Sequence, residues 1–374
     1  LAYFGSGPIQ GFATTLIIGV FTSLFSALFI TRLIFSYMLD NKKEVAFSRK
    51  FTKNLFRGTS ITFFKKRKLF YVISSLIVLG GLASLFSKGV DWGVEFTGGR
   101  TYRVEFSQKI DREEVRKLIA SKSVNEDGSL VSPELKTVDN EYNLEITTKY
   151  LVNSSADNKN EKVDSTLHES FNDMGYQNKD FSDGEWYEIK SSRSVNPQIS
   201  DELKQSSLLA IIFSLFIIFI YIAFRFKKWQ FGLGALVAMF HDVLVVLGLF
   251  SILYNFVPFS MEIDQAFIAA ILTVVGYSIN DTVVVFDRIR EYSILHKKSS
   301  TESVIDNALN STLSRTINTS LSTFLVLLTI FIFGGESIKG FSFALMIGVV
   351  VGTYSSLFIA TPAVVDLSKK KITA

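Results

Sequence analysis

Asp281 stands inside a run that reads AFIAAILTVVGYSINDTVVVF, 21 residues from Ala266 to Phe286 with one formal charge. At 1.5 Å per residue such a helix is about 30 Å long, the thickness of a hydrocarbon core. An ionised carboxylate there costs several kcal/mol, so membrane helices keep one where it pairs, titrates or lines a path. The competing reading is a carboxyl group that only glues helices together. Ser278, Asn280 and Thr282 flank Asp281 and supply further polar atoms. A second pair, His241-Asp242, lies 11 to 12 residues into another apolar stretch that starts near Phe231, hence near mid-bilayer. The pair joins Asp281 and Arg315 as candidates for proton coupling, although His241 reads more readily as a helix–helix hydrogen-bonding residue than as a proton relay, whereas a carboxylate at Asp242 needs a partner. A third group is Arg315 with Thr316 and Asn318, in the hydroxyl-rich stretch Ser311–Ser320. Burial works against the charged form of a carboxylate and a nearby cation works for it. Asp281 with Arg315 in reach is therefore expected to gain and lose a proton. Arg315 also reads as an ordinary cationic flank of a membrane span, and the hydroxyls after it as packing residues that let helices approach. The cluster Asp287, Arg288, Arg290 and Glu291 reads as a solvated helix end.

These groups need membrane helices to position them. Seven apolar spans are expected, at about residues 12–36, 69–87, 206–226, 231–254, 266–286, 316–333 and 341–363. The chain is 48% hydrophobic with a mean hydropathy of +0.30, yet 20% charged, which points to a membrane domain plus a soluble module. Net charge is only +4 and the basic residues sit in loops beside apolar spans, which argues against nucleic-acid binding. Cysteine is absent, so thiol and zinc-thiolate chemistry are excluded. No Walker A pattern, zinc motif or nucleophile elbow gives hydrolysis a seat, and no enzyme activity or resident cofactor is expected. The segment 37–68 carries ten Lys/Arg against Asp40 and Glu44 and is expected inside the cell. Alternation then puts Arg225, Lys227, Lys228, Arg288, Arg290, Lys297, Lys298 and the Lys369–Lys371 tail on the same side, and the loop 255–265, with Glu262 and Asp264 but no Lys or Arg, on the other.

Residues 88–205 are expected outside as one soluble domain. Strand signals at Thr101–Phe106, Leu135–Val138, Asn143–Thr148 and Trp186–Lys190 and helix signals at Asp111–Ser121 and 162–174 give the order βαββαβ, the ferredoxin-like arrangement. An Asp139-Asn140 turn and a solvated loop over 153–160 join its elements, and His168 is expected at the surface. An internal repeat ties the two ends of the chain together: residues 4–30 align without gaps on 333–359, with 13 of 27 positions identical, glycines included. Duplicated halves are a transporter architecture with sites at the repeat interface. The expected division is 1–36, the last helix of a first repeat; 37–68, a basic linker; 69–87, the first helix of a second repeat; 88–205, the outer domain; 206–363, five further helices; and 364–374, an inner tail.

The run Gly276-Tyr-Ser-Ile-Asn-Asp-Thr-Val-Val-Val-Phe-Asp-Arg-Ile-Arg-Glu291 closely resembles the signature of the SecD/SecF family, within the resistance-nodulation-division superfamily. Val94-Glu-Phe-Thr-Gly-Gly99, Phe240-His-Asp242, Arg315-Thr-Ile-Asn-Thr-Ser320 and Gly352-Thr-Tyr-Ser-Ser356 support it, over essentially the whole chain. The resemblance implies a polytopic α-helical membrane protein with one ferredoxin-like periplasmic domain, in the bacterial plasma membrane. It implies a role in protein export, using the proton-motive force to assist preproteins, with protons as coupling ion and no other cofactor. It places Asp281 and Arg315 on positions implicated in proton coupling. Implied partners are the SecYEG channel, YajC-like accessory proteins, preprotein substrates, a SecD-like first half and membrane lipids. A small-molecule or lipid exporter of the same superfamily is the alternative.

Overall fold

The computed structural model describes residues 8–43, 59–138, 140–154, 156, 158–181 and 184–368. The basic residues between 44 and 58, Asp139 of the expected turn, residues 155 and 157 of the expected loop, and Lys369–Lys371 lie outside them. Among the described residues seven helices are long and apolar enough to cross a membrane: Ala13–Asp40, Phe64–Ser87, Ile199–Phe226, Trp229–Leu253, Gln265–Leu295, Thr301–Phe333 and Glu336–Leu367, here the first to seventh spans. The fifth and sixth outrun their apolar windows and project as long helices. Each begins on a side-chain cap, Asp264 accepting from the Phe267 N–H at 2.7 Å and Ser300 from the Ser303 N–H at 3.3 Å.

Burial sorts the spans into two classes. The fourth, fifth and seventh have 56%, 61% and 61% of their apolar windows buried, and the other four between 6% and 17%. Three helices therefore form the centre, and every polar group of interest hangs on them or on the sixth. Two apolar clusters close this centre at its ends. One holds Phe63, Phe64, Phe226, Phe231, Phe286 and Leu309, at the end carrying the basic loops. The other holds Phe96, Phe250, Met261, Ile263 and Phe267, at the end carrying the α+β domain. The second span reaches the centre through a close backbone approach. A Cβ on Gly248 would stand 2.6 Å from Gly81 Cα, and Ser84 and Ser251 share a hydrogen bond of 2.8 Å one turn on.

The first and seventh spans each contain a π turn, Ser26–Ile30 and Ser356–Ala360. Each is followed by a threonine whose hydroxyl donates five residues back, Thr31 to the Ser26 carbonyl at 3.0 Å and Thr361 to the Ser356 carbonyl at 3.1 Å. In the seventh span Pro362 also removes a backbone donor. The internal repeat sets Ser26 against Ser355, so the two π turns lie one residue apart in that register.

The α+β domain carries β1 (Gly99–Phe106), β2 (Glu134–Thr137), β3 (Asn143–Thr148), β4 (Gln177–Asn178) and β5 (Trp186–Val195), in the sheet order β2-β3-β1-β5-β4. β1 is antiparallel to both β3 and β5, and β2 to β3, which is the ferredoxin-like order. The two-residue β4 is an addition at the edge, parallel to β5. Alternate residues Tyr102, Val104 and Phe106 of β1, with Leu144 and Ile146 of β3, face Val115 and Ile119 of the helix Arg112–Lys122 and Val163, Leu167 and Phe171 of the helix Lys159–Asp173. His168 corrects the surface expectation. It is half-buried, and its Nδ1 hydrogen-bonds the Tyr187 hydroxyl, because its helix turns this position toward β5.

A short helix, Val94–Thr97, joins the second span to this sheet. Gly98 leaves it at φ +80 and Gly99 enters β1, where a Cβ would meet the Thr148 carbonyl oxygen and Val94 Cγ1, both at 2.7 Å. Only glycine fits that corner. Beside it the domain is stitched to the 254–264 loop. The Gly93 N–H donates to the Ile263 carbonyl at 2.9 Å and the Ile263 N–H to the Asp91 carbonyl at 2.7 Å. Lys149 pairs with Asp91 at 3.0 Å, Lys136 with Glu262 at 3.0 Å, and Arg112 with Glu336.

Candidate functional site

Between the two apolar clusters lie two carboxylates on neighbouring helices, Asp242 on the fourth span and Asp281 on the fifth. Asp242 is completely buried and fully engaged. Its Oδ2 accepts from the Ser278 hydroxyl at 2.6 Å and the Ser355 hydroxyl at 2.8 Å, and its Oδ1 lies 3.0 Å from His241 Nδ1. Three helices, the fourth, fifth and seventh, are thus pinned on one carboxyl group. Their close approach is enforced at Gly352, where a Cβ would stand 2.9 Å from Ser278 Cβ. The Nε2 of His241 is buried without a hydrogen-bond partner.

Asp281 is 3% exposed and far less constrained. Its one side-chain hydrogen bond among the described residues is a long one, 3.3 Å, from the Ser320 hydroxyl of the sixth span. Ser320 also meets the Thr353 hydroxyl of the seventh span at 2.6 Å and the Tyr277 hydroxyl at 3.4 Å. Arg315 is exposed and acts on Asp281 through its field alone, since no ion pair within 4.0 Å joins them. Of the other residues singled out in the sequence, Ser278 and Thr282 are buried, Thr282 donating back to the Ser278 carbonyl at 3.1 Å. Thr316 is buried with an unpartnered hydroxyl one turn before Ser320, while Asn280 and Asn318 are exposed. Ser320, Thr353 and Ser355 fall within the motifs Arg315–Ser320 and Gly352–Ser356, but the sequence assigns none of them a place in the site. The signal for them was weak: hydroxyls in small-residue runs, 39 to 113 residues from the carboxylates they serve.

A third carboxylate group sits at the joint between domain and bundle. Oxygens of Asp91, Glu134 and Glu262 lie within 4.8 Å of one another, with the Lys136 ammonium 3.0 Å from Glu262 and 3.9 Å from Glu134. That ammonium supplies the cationic charge the cluster calls for. Burial, with the charge of Glu262 beside it, pushes Glu134 up to about 8. Burial also works against the charge of Glu262, but Lys136, the hydrogen bond with Glu134 and the charge of Lys149 together hold Glu262 below the usual carboxylate range. Burial raises Asp264 and Glu95 as well. The group is a nearly neutralised ion cluster, with Glu134 the member that carries a proton at neutral pH.

What the helical centre can do chemically is bounded by these contacts. Among the described residues its polar side-chain atoms are carboxyls, hydroxyls and the His241 imidazole, all groups that can exchange protons and hydrogen bonds.

Comparison with known proteins fits this arrangement. Residues 176–370 match the family model described as "Protein export membrane protein SecD/SecF, C-terminal", and residues 83–110, which contain the Gly98-Gly99 corner, match the "SecD/SecF GG Motif". The protein translocase subunit SecF of Rhodothermus marinus is 40% identical over 313 residues, covering 84% of this chain and 95% of that protein. The SecDF subunit of Brucella abortus is 33% identical over 368 residues, covering 98% of this chain and 45% of that protein. The crystal structure of SecDF from Thermus thermophilus superposes with a TM-score of 0.79 at 29% identity, covering 99% of this chain and 46% of that one. The chain thus spans nearly the whole of a SecF relative and about half the length of the fused SecDF relatives. It is a multi-pass membrane protein, and it belongs to the SecD/SecF family of protein-export membrane proteins.

Proposed function

We propose that this chain assists preprotein translocation at the SecYEG channel by spending the proton-motive force, with Asp281 as the group that takes up and releases the proton. The observation that carries the reading is the contrast within the helical centre: a buried carboxylate held, among the described residues, by one long hydrogen bond and no ion pair, next to a second carboxylate with three polar contacts. A proton crossing the membrane yields about 2.3 kcal/mol per 100 mV, enough to bias a helix rearrangement. Arg315 tunes Asp281 electrostatically, and Asp242 with His241 holds the three central helices together while the Asp281 side rearranges. In this reading the α+β domain lies on the periplasmic side of the bacterial inner membrane, the basic loops and the tail in the cytoplasm, and preproteins and YajC-like subunits are its partners. The family membership and the loop charges support that orientation.

Asp281→Asn in the assembled export complex tests the proposal. The variant is expected to assemble normally and to lose proton-dependent stimulation of export. Wild-type stimulation at matched expression overturns it.

A further inference from the structure

The contacts of Ser320 and Thr353 cannot all be made at once. The Thr353 hydroxyl lies 2.6 Å from Ser320 Oγ and 2.7 Å from the Val349 carbonyl oxygen, yet it has one proton to donate. Ser320 likewise has one proton, with Asp281 Oδ2 at 3.3 Å and Thr353 Oγ1 at 2.6 Å. The Val349 carbonyl accepts and never donates. The proton count along Asp281, Ser320, Thr353 and Val349 allows several arrangements; the 2.6 Å contact between Ser320 and Thr353, too short to lack a proton, and the need of an ionised carboxylate for a donor select one for each state of Asp281.

With Asp281 ionised, the carboxylate can only accept. Ser320 must then donate to Asp281 and Thr353 to Ser320, and the contact between Thr353 and the Val349 carbonyl carries no hydrogen bond. With Asp281 protonated, its O–H donates to Ser320, Ser320 turns its proton to Thr353, and Thr353 donates to the Val349 carbonyl. The arriving proton stays on Asp281, while each hydroxyl rotates and keeps its own proton. We infer that Ser320 and Thr353 are positioning residues forming a reversible hydroxyl chain, whose direction reports the protonation state of Asp281 to the seventh span at Val349–Thr353. This rests on the reading of Asp281 as the titrating group.

The place where the chain ends gives the reversal its consequence. Ser355, two residues beyond Thr353, is one of the pins on Asp242, and the π turn Ser356–Ala360 follows directly. π turns are sites where a helix shifts its hydrogen bonds at small cost, and they cluster at functional positions. The acid form makes one hydrogen bond more than the ionised form, and that bond closes the turn leading into the π segment. Protonation therefore adds a hydroxyl back-bond of the kind that bends helices to that turn, and deprotonation removes it. Tyr277, at 3.4 Å, can donate to Ser320 in either state and does not fix the direction. The ionisable groups on helices packed around Asp281 are Arg315 on the sixth span, His241 and Asp242 on the fourth, Tyr354 on the seventh and Tyr277 on its own. Farther along are Arg225 of the third span, paired with Asp287, and Arg32 of the first.

Infrared difference spectra of the full-length protein in lipid vesicles, recorded across pH, test this. The carbonyl band of protonated Asp281 is identified by its loss in Asp281→Asn. Thr353→Val, which keeps shape and removes the hydroxyl, is expected to shift that band and move its pH midpoint down by about half to one unit, the worth of one hydrogen bond. Thr353→Ser is expected to restore both. A band and midpoint unchanged in Thr353→Val overturn the hydroxyl chain while leaving Asp281 as the titrating group. A wild-type protein with no Asp281-dependent band overturns both readings.

Discussion

Asp242 and Asp281 are buried carboxylates on adjacent helices of one bundle, and they are built to opposite ends. Asp242 accepts two short hydroxyl bonds and touches His241, drawing donors from three helices. Asp281 has a single donor at 3.3 Å and a cation at a distance. The difference teaches that burial alone does not assign a role. A carboxyl group that holds several donors at good geometry resists a change of state, because every donor loses its acceptor together. One held at a single long contact has little to lose. The geometry makes the first a rivet, and the proposed function makes the second the moving part.

The contrast breaks if the rivet can be removed cheaply. Asp242→Ala leaves His241, Ser278 and Ser355 without their shared acceptor, and is expected to cost roughly 3–5 kcal/mol in detergent unfolding measurements. Asp281→Asn is expected to stay within about 1 kcal/mol of wild type in the same measurement, the value of one weak hydrogen bond. Equal losses for the two variants would abolish the distinction. Ser355→Ala sharpens it at smaller scale. Removing one donor from Asp242 should cost about 1.5–3 kcal/mol, and more than Ser320→Ala, whose bond to Asp281 is 0.5 Å longer than that of Ser355 to Asp242.

The joint cluster offers a third setting, read through pH rather than through a lost side chain. Glu134 is held at about 8, above its ordinary 4.5, so the docked joint binds a proton more readily than the undocked one. The stabilisation is therefore fully present at low pH, declines as pH rises above 4.5 and is gone once pH passes about 8. Hydrogen exchange at the Gly93 and Ile263 amides, corrected for the intrinsic rate, should accelerate across that window. Glu134→Gln, which stays neutral, should flatten the dependence. A wild-type joint insensitive to pH would show that Lys136 alone holds it.

Much of the architecture was legible because the bilayer writes long messages. Seven apolar runs and the period-two strands of the α+β domain locate themselves. Helix ends were less legible. The fifth and sixth helices extend to Leu295 and back to Thr301 through residues too polar for a hydropathy reading, in segments stabilised by caps and by contacts such as Arg288 with Ser311 at 2.9 Å. Asp281 and Asp242 announced themselves as charges in apolar runs, but what distinguishes them did not. That depends on which hydroxyls the packing brings near, and Ser355 lies 113 residues from Asp242. The joint was equally hidden, since Lys136 and Glu262 are 126 residues apart and each reads as ordinary surface charge on its own.

The π turn at Ser356–Ala360 has a geometric consequence for the far end of its helix. It inserts one residue into the helical count, so everything after it is turned by about 100° relative to an uninterrupted helix. Upstream, Ser355 points at Asp242. Downstream, Asp366 meets Arg67 at 3.2 Å and the Tyr71 hydroxyl at 3.1 Å on the second span. The extra residue acts as a phase corrector between these two appointments. Without it, a helix aimed correctly at Asp242 would carry Asp366 past its partners.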